Sequence, residues 1–227
     1  MKKIVVLTGA GMSAESGLKT FRDSDGLWEN HNVYDVATPE AWERDPEMVL
    51  KFYNERRKQV RDAKPNKAHV ALGKLEEKYD VHIITQNIDN LHERAGSTQV
   101  IHLHGEVNKA RSSIDSGLVY ELDHWEMKLG DLCEKGSQLR PHIVWFGESV
   151  PMIEKAIPIV EMADRLIVIG TSLAVYPAAG LLNYATSSSQ KYYIDPKGFE
   201  GDNHYPFVII KETAGVGVPR LVDQLLQ

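Results

Sequence analysis

Lys3-Ile4-Val5-Val6-Leu7-Thr8-Gly9-Ala10-Gly11-Met12-Ser13-Ala14-Glu15-Ser16-Gly17 is the stretch that decides the fold. A short apolar run, breaking at once into Gly-x-Gly, reads as a strand buried on both faces and followed by a turn without side-chain bulk. Such a turn lets a backbone approach a dinucleotide pyrophosphate, and a following helix N-terminus would face that group with its N–H groups. A tight strand-to-helix turn with no ligand is the other reading of a lone Gly-x-Gly. Its position after the first strand favours a cofactor.

Further β-rich runs follow at Val81–Thr85, Val100–Leu103, His142–Phe146, Arg165–Ile169, Lys191–Ile194 and Phe207–Ile210. Helical spacing occupies Pro46–Arg61, Lys67–Tyr79, Pro151–Ala163 and Val218–Leu226. Apolar strands alternating with helices predict an α/β class, a doubly wound Rossmann-like parallel sheet. The stretch from Asn108 to Leu139 breaks the rhythm: it is polar and turn-rich, and reads as a small inserted subdomain within one domain spanning residues 1–227.

With 227 residues, 42% of them hydrophobic, the chain can bury a sizeable core without cross-links. A net charge of -6 offers no footprint for nucleic acid or an anionic membrane. The opening apolar run is too short for a secretory signal, and no stretch is long enough to span a bilayer. A cytoplasmic location is expected. The single cysteine, Cys133, excludes an intramolecular disulfide and a zinc site of several thiolates.

Chemistry-bearing residues cluster where strands end. Gln86-Asn87-Ile88-Asp89 follows one strand, at the carboxyl edge where open α/β sheets bind ligands, and its amides and carboxylate can hold a carboxamide. Taken alone, Asn and Asp at that place are turn formers. His104 ends another run before Gly105, which suits an exposed imidazole acting as a general base. His102 is expected on the opposite face, with no chemistry. Gly170-Thr171-Ser172 offers a small backbone and two hydroxyls after a third strand, equally a capping motif. Tyr53 and Arg56 stand at i and i+3 of a predicted helix, where a phenol beside a guanidinium makes a carboxylate receptor. The neighbouring Arg57 and Lys58 fit a solvated face as well.

The run from Gly9 to Arg22, together with Thr85-Gln86-Asn87-Ile88-Asp89-Asn90-Leu91-His92, His102-Leu103-His104-Gly105 and Gly170-Thr171-Ser172, resembles the sirtuin signature in order and spacing. The resemblance implies an NAD-dependent protein-lysine deacylase, which releases nicotinamide and yields O-acyl-ADP-ribose. It implies that Gly9, Ala10, Gly11, Ala14, Glu15, Gln86, Asn87, Ile88, Asp89, Gly170, Thr171 and Ser172 bind NAD. Asp89 and the Ile88 backbone would take the nicotinamide amide, Asn87 the ribose or an ordered water, and Gln86 the ribose hydroxyls. Phe21 and Arg22 would lie on a loop over the cofactor, with Phe21 shielding the reactive carbon. Tyr193, Asp195 and Ala214 match positions near the adenosine, with Tyr193 where the family usually has asparagine. His104 is the implied catalytic base, with Asn87 beside it. Val144, Phe146, Gly147 and Glu148 resemble one edge of the clamp for an extended acyl-lysine peptide, and Val175 and Tyr176 the other.

Tyr-x-x-Arg at Tyr53 and Arg56 resembles the subgroup that removes succinyl and malonyl groups, with acetyl as a further substrate. Val33 to Thr38 would line the adjoining wall, and Ala37 would leave room for a longer acyl chain. The family's zinc module maps to Lys109–Leu139, where only Cys133 remains of four cysteines. No structural zinc is expected, with packing around Leu118, Tyr120, Leu122, Trp125 and Leu132 holding the insertion instead. Mono-ADP-ribosyl transfer and a non-catalytic NAD or ADP-ribose sensor are the alternatives that share the NAD-binding residues. A monomer is the expected state.

Overall fold

The first apolar run forms an inner strand of a six-stranded parallel sheet, paired on both sides. The computed structural model describes residues 1–19, 27–28, 31–199 and 205–227, with Leu27 and Trp28 as backbone only. In chain order the elements are β1 (Lys3–Thr8), β2 (Leu27–Trp28), β3 (His31–Asn32), α1 (Val33–Val36), α2 (Pro39–Arg44), α3 (Pro46–Asp62), α4 (Lys67–Leu75), β4 (Asp80–Thr85), α5 (Leu91–Arg94) and β5 (Val100–His102). There follow β6 (Gly105–Ser112), β7 (Val119–Glu121), β8 (Leu139–Ile143), α6 (Ile153–Glu161), β9 (Arg165–Ile169), β10 (Gln190–Ile194), β11 (Phe207–Ile210) and α7 (Ala214–Leu226).

The main sheet runs β11-β10-β9-β1-β4-β5. Counted by chain position this is the doubly wound order, with its direction reversing between β1 and β9. Thr8 pairs with Thr85 of β4 on one side and with Ile169 of β9 on the other, so three strands end level at the switch point. Successive side chains of β1 face opposite layers. Ile4 and Val6 pack with α4 and α7 residues such as Leu72 and Val218, and Val5 and Leu7 pack with Ala156, Val160 and Leu181 on the other face.

The strand expectations hold for the main sheet; α4 stops at Leu75, short of the expected Tyr79, and two other differences are instructive. The last helix starts at Ala214, four residues before the expected Val218. Gly215 and Gly217 argue against helix by propensity, yet a Cβ at Gly217 would lie 2.7 Å from Ile194 Cγ2, so the glycine lets α7 press onto the sheet. The expected strand His142–Phe146 is instead β8, ending at Ile143 and lying in a separate three-stranded antiparallel sheet, β7-β6-β8. That sheet is half solvated. β6 alternates buried and partly buried residues, which is why its sequence reads as a polar insertion.

Candidate active site

The Gly9 turn is built differently from the expected strand-to-helix turn. Residues Ala10–Met12 and Ala14–Ser16 form two short 3-10 turns, and Gly17 follows at φ 86°. Among the described residues, no α-helix continues directly from this turn. The glycines serve the approach of two loops to each other: Gly9 N–H donates to Ile169 O at 3.0 Å and Gly11 N–H to Gly170 O at 2.9 Å. A Cβ on Gly9 would meet Thr171 Cβ at 2.6 Å, and one on Gly11 would meet Gly170 Cα at 2.7 Å.

The loop after β4 is held on every side. Gln86 N–H donates to Thr8 O, Asn87 N–H to Thr85 Oγ1 at 3.0 Å, and the Gln86 side chain reaches Thr171 Oγ1 at 3.1 Å. The buried Asn87 amide donates to Gly9 O and to Ser13 Oγ, both at 3.1 Å. Ser13 in turn donates to Asp89 Oδ2 at 2.9 Å, and Leu91 N–H to Asp89 Oδ1 at 3.1 Å. Burial pushes the Asp89 carboxyl up, while its backbone and Ser13 hydrogen bonds pull the other way. Ser13, absent from the sequence-based set, is the hinge of this array; its hydroxyl, two residues past Gly11, is the sole sign of it in the sequence.

Two histidines grip the same loop. His104 Nδ1 lies 3.0 Å from Gln86 O, and His102 Nδ1 lies 3.0 Å from Asn87 O. A carbonyl oxygen only accepts, so Nδ1 of His104 carries the proton and Nε2 keeps its lone pair, the tautomer a general base needs. Burial holds the His104 pKa below the usual imidazole value, against the opposing Gln86 hydrogen bond. His102 does not point to an opposite face as expected. β5 ends at His102 and Leu103–His104 form a turn, which brings both rings to residues 86–87.

Across the loop lies an apolar cluster containing Val33, Val36, Ala37, Phe52, Tyr53 and Trp145, with Ile88 packed against it. It joins the expected acyl wall, the Tyr53 helix and the peptide edge. Phe146 N–H donates to Ala37 O at 3.0 Å, and Val144 N–H to His104 O at 2.9 Å. Tyr53 is fully buried, accepting from Trp145 Nε1 at 3.1 Å. Arg56 stands one turn on, 7% exposed, with Nε donating to Gln59 at 3.1 Å and its guanidinium 4.7 Å from the Phe52 ring centroid. Phe146, Gly147, Val175 and Tyr176 are exposed. Glu148 turns inward: its carboxylate accepts from Arg111, from Arg140 and from Trp145 N–H at 2.8 Å, while Arg140 stacks 3.3 Å over Trp145. That carboxylate braces the turn behind the edge.

At the other end, Thr171 is buried and Ser172 exposed. Tyr193 lies in the core against Phe199 and Phe207, with its hydroxyl donating to Thr171 O at 2.6 Å. Asp195, 2% exposed, accepts from Lys197 N–H. Glu15 accepts from Gly215 N–H at 2.6 Å and so ties the Gly9 turn to the start of α7, where Ala214 is buried; Ala10 is half-buried and Ala14 exposed. Phe21 and Arg22 lie outside the described residues. Amide and carboxylate groups at one end of this edge and hydroxyls and glycine backbone at the other suit the two halves of a dinucleotide.

The insertion is fastened by polar ties together with packing, in which Leu122 of the expected set takes part. Trp125 and Leu132 are 41% and 55% exposed, whereas Met127 is buried against Leu50 and Ala110. Arg57, wholly buried, donates from Nε to Val107 O at 2.7 Å and from Nη1 to Asn54 Oδ1 and Trp125 O. Asn54 also exchanges two hydrogen bonds with the Met127 backbone. Ser112, Ser137 and Cys133 meet at the far end, Cys133 Sγ lying 3.1 Å from Ser137 Oγ.

A doubly wound sheet with such a switch point defines a Rossmann-type nucleotide-binding protein. The sequence model of the Sir2 family matches residues 9–177, and the chain belongs to that family. An NAD-dependent protein deacylase of Helicobacter pylori is 52% identical over 229 residues, covering 100% of this chain and 99% of the relative. One from Bacteroides thetaiotaomicron is 52% identical over 231 residues, with 100% and 99% covered. Among solved structures, a Sir2 homologue in complex with NAD superposes with a TM-score of 0.89 at 40% identity, covering 99% of this chain and 90% of that one. Among the described residues, no helix is long and apolar enough to cross a membrane.

Proposed function

We propose that this chain removes succinyl and malonyl groups from protein lysines, with acetyl as a further substrate, and that the site residues act as follows. As a Sir2-family protein with deacylases as relatives across its whole length, it is an NAD-dependent protein deacylase. Bound NAD supplies an electrophilic ribose carbon with nicotinamide as the leaving group. Asp89 and the Ile88 backbone hold the nicotinamide amide, Gln86 and Asn87 the ribose, and Gly9, Gly11, Gly170, Thr171 and Ser172 the remainder. His104 takes a ribose hydroxyl proton at Nε2. Val144 and Phe146 on one edge and Val175 and Tyr176 on the other hold the peptide as an added strand.

The observation that carries the reading is the His104 tautomer, set by Gln86 O, within the same loop that carries Asn87 and Asp89. The acyl preference rests on Tyr53 and Arg56, one turn apart on α3 and joined through the Trp145 cluster to Ala37 and the peptide edge. A nearly buried guanidinium favours an acyl chain that ends in carboxylate.

Mass spectrometry of succinyl-lysine and acetyl-lysine peptides, with and without NAD, tests both parts. His104→Ala should abolish NAD-dependent turnover of either peptide. Arg56→Met should cost roughly 2–3 kcal/mol on succinyl, about 30- to 150-fold in kcat/KM, and leave acetyl within about threefold. Efficient deacetylation with succinyl untouched would refute the carboxylate receptor. NAD binding without turnover of any acyl-lysine would favour ADP-ribosyl transfer or a sensor.

A further inference from the structure

We infer that His102 is a positioning residue for NAD: as an imidazolium it bridges the Asn87 carbonyl and the Glu93 carboxylate, and so sets the shape of the loop that binds the nicotinamide end. The inference rests on the reading of that loop given above, and it concerns a residue to which the reaction itself assigns nothing.

His102 Nδ1 lies 3.0 Å from Asn87 O and its Nε2 2.8 Å from Glu93 Oε1, with the ring 8% exposed. A peptide carbonyl has no proton to give and an ionised carboxylate has none either, so both contacts are hydrogen bonds only if both ring nitrogens are protonated. Burial works against that charge, but the Glu93 hydrogen bond and charge, followed by the Asn87 carbonyl, outweigh it and raise the His102 pKa. Burial also pushes the Glu93 carboxyl up, and the His102 contact outweighs it, so Glu93 stays ionised. Glu106 of β6 also faces the ring and favours its charge, the buried His92 on α5 lies within its field with its own pKa held low, Asp89 is stabilised by it, and Lys109 acts on Glu93.

What the bridge fixes is the peptide after Asn87. Gln86 O is taken by His104, Asn87 O by His102 and Ile88 O by Val107 N–H, so three successive carbonyls of the loop are each held by a donor. With that peptide fixed, the Asn87 amide reaches Gly9 O and Ser13, and Ser13 reaches Asp89. Without His102, Asn87 O has no other donor among the described residues, which favours rotation of the peptide and loss of the array. His102 touches no reacting atom in this reading, and its effect falls on NAD and not on the peptide.

The test is NAD binding by calorimetry together with steady-state deacylation, on the wild type, His102→Ala, His102→Asn and Glu93→Gln. His102→Ala should raise the Kd and KM for NAD roughly 10- to 100-fold while the peptide KM stays within about twofold. His102→Asn, whose amide can replace the Nδ1–H donor, should recover most of the affinity. Glu93→Gln removes the carboxylate that holds the ring's charge, so the His102 Nε2 nitrogen-15 shift at pH 7 should move from the protonated to the lone-pair value, while Nδ1–H stays on Asn87 O and NAD affinity stays within about threefold. An unchanged NAD affinity in His102→Ala, or an equal loss on NAD and peptide, overturns the inference. So does a wild-type His102 with an unprotonated ring nitrogen at pH 7, or a His102→Asn variant that fails to recover NAD affinity, and if His102→Ala does not fold, these two measurements decide. Should the wild type bind NAD but turn over no acyl peptide, the deacylase reading falls, and the calorimetric arm still judges His102.

Discussion

Gly170→Ala is the sharpest probe of the switch point. A Cβ there would sit 2.5 Å from Gly11 C and 2.5 Å from Met12 N, both backbone atoms that cannot rotate away, and the residue has φ +60°. The left-handed conformation costs a non-glycine about 1–2 kcal/mol, and forcing a methyl into a packed contact adds about 1–3 kcal/mol. The expected loss is therefore roughly 2–5 kcal/mol, a large share of the ~5–15 kcal/mol that holds a domain together. Gly17→Ala separates the two causes, because Gly17 has φ +86° with nothing within 4 Å of its Cβ position. It should lose about 1–2 kcal/mol. Urea unfolding of both variants gives the difference directly, and NAD calorimetry on the folded fraction should show weakened binding for Gly170→Ala alone. If Gly170→Ala matches Gly17→Ala within about 0.5 kcal/mol and binds NAD normally, the claim that the two loops are in obligatory contact is wrong.

Two further outcomes are expected. Because burial lowers the His104 pKa, its base form persists to more acid pH, and the acid limb of kcat/KM should lie below the ordinary imidazole value of about 6.5. The unfolded chain then binds this proton more readily than the folded one, so the same group removes stability as pH falls below about 6.5 and costs nothing above it. Arg57→Met should destabilise the protein by about 3 kcal/mol, since Val107 O and Trp125 O lose their buried donor. Hydrogen exchange should place the lost protection first in the sheet of β6, β7 and β8, and uniform loss across the main sheet would contradict this role for Arg57.

The parallel sheet was legible because strands buried on both faces are continuous apolar runs; β1, β9 and β11 fall where the sequence puts them. The antiparallel sheet was not, since β6 carries Glu106, Asn108 and Lys109 on a strand with one wet face, and a polar strand reads like a loop. Of the candidate site, residues at strand ends could be located, as with Asn87, Asp89 and His104. Ser13 and Glu93 could not, because their partners Asp89 and His102 are met only in space. The 3-10 geometry after β1 was also hidden, as Gly-x-Gly fits both a ligand-facing turn and one pressed against a neighbouring loop.

The inner place of β1 has a consequence for how the protein is made. Lys3 N–H bonds to Asp164, 161 positions away, and Gly9 waits for Ile169. At a synthesis rate of ~5–20 residues per second, the first strand must remain without one of its two neighbours for roughly 10–30 s. Until β9 emerges from the ribosome, the nascent chain carries an unpaired apolar edge, which makes it a natural client for chaperones and ties the birth of the cofactor turn to late translation.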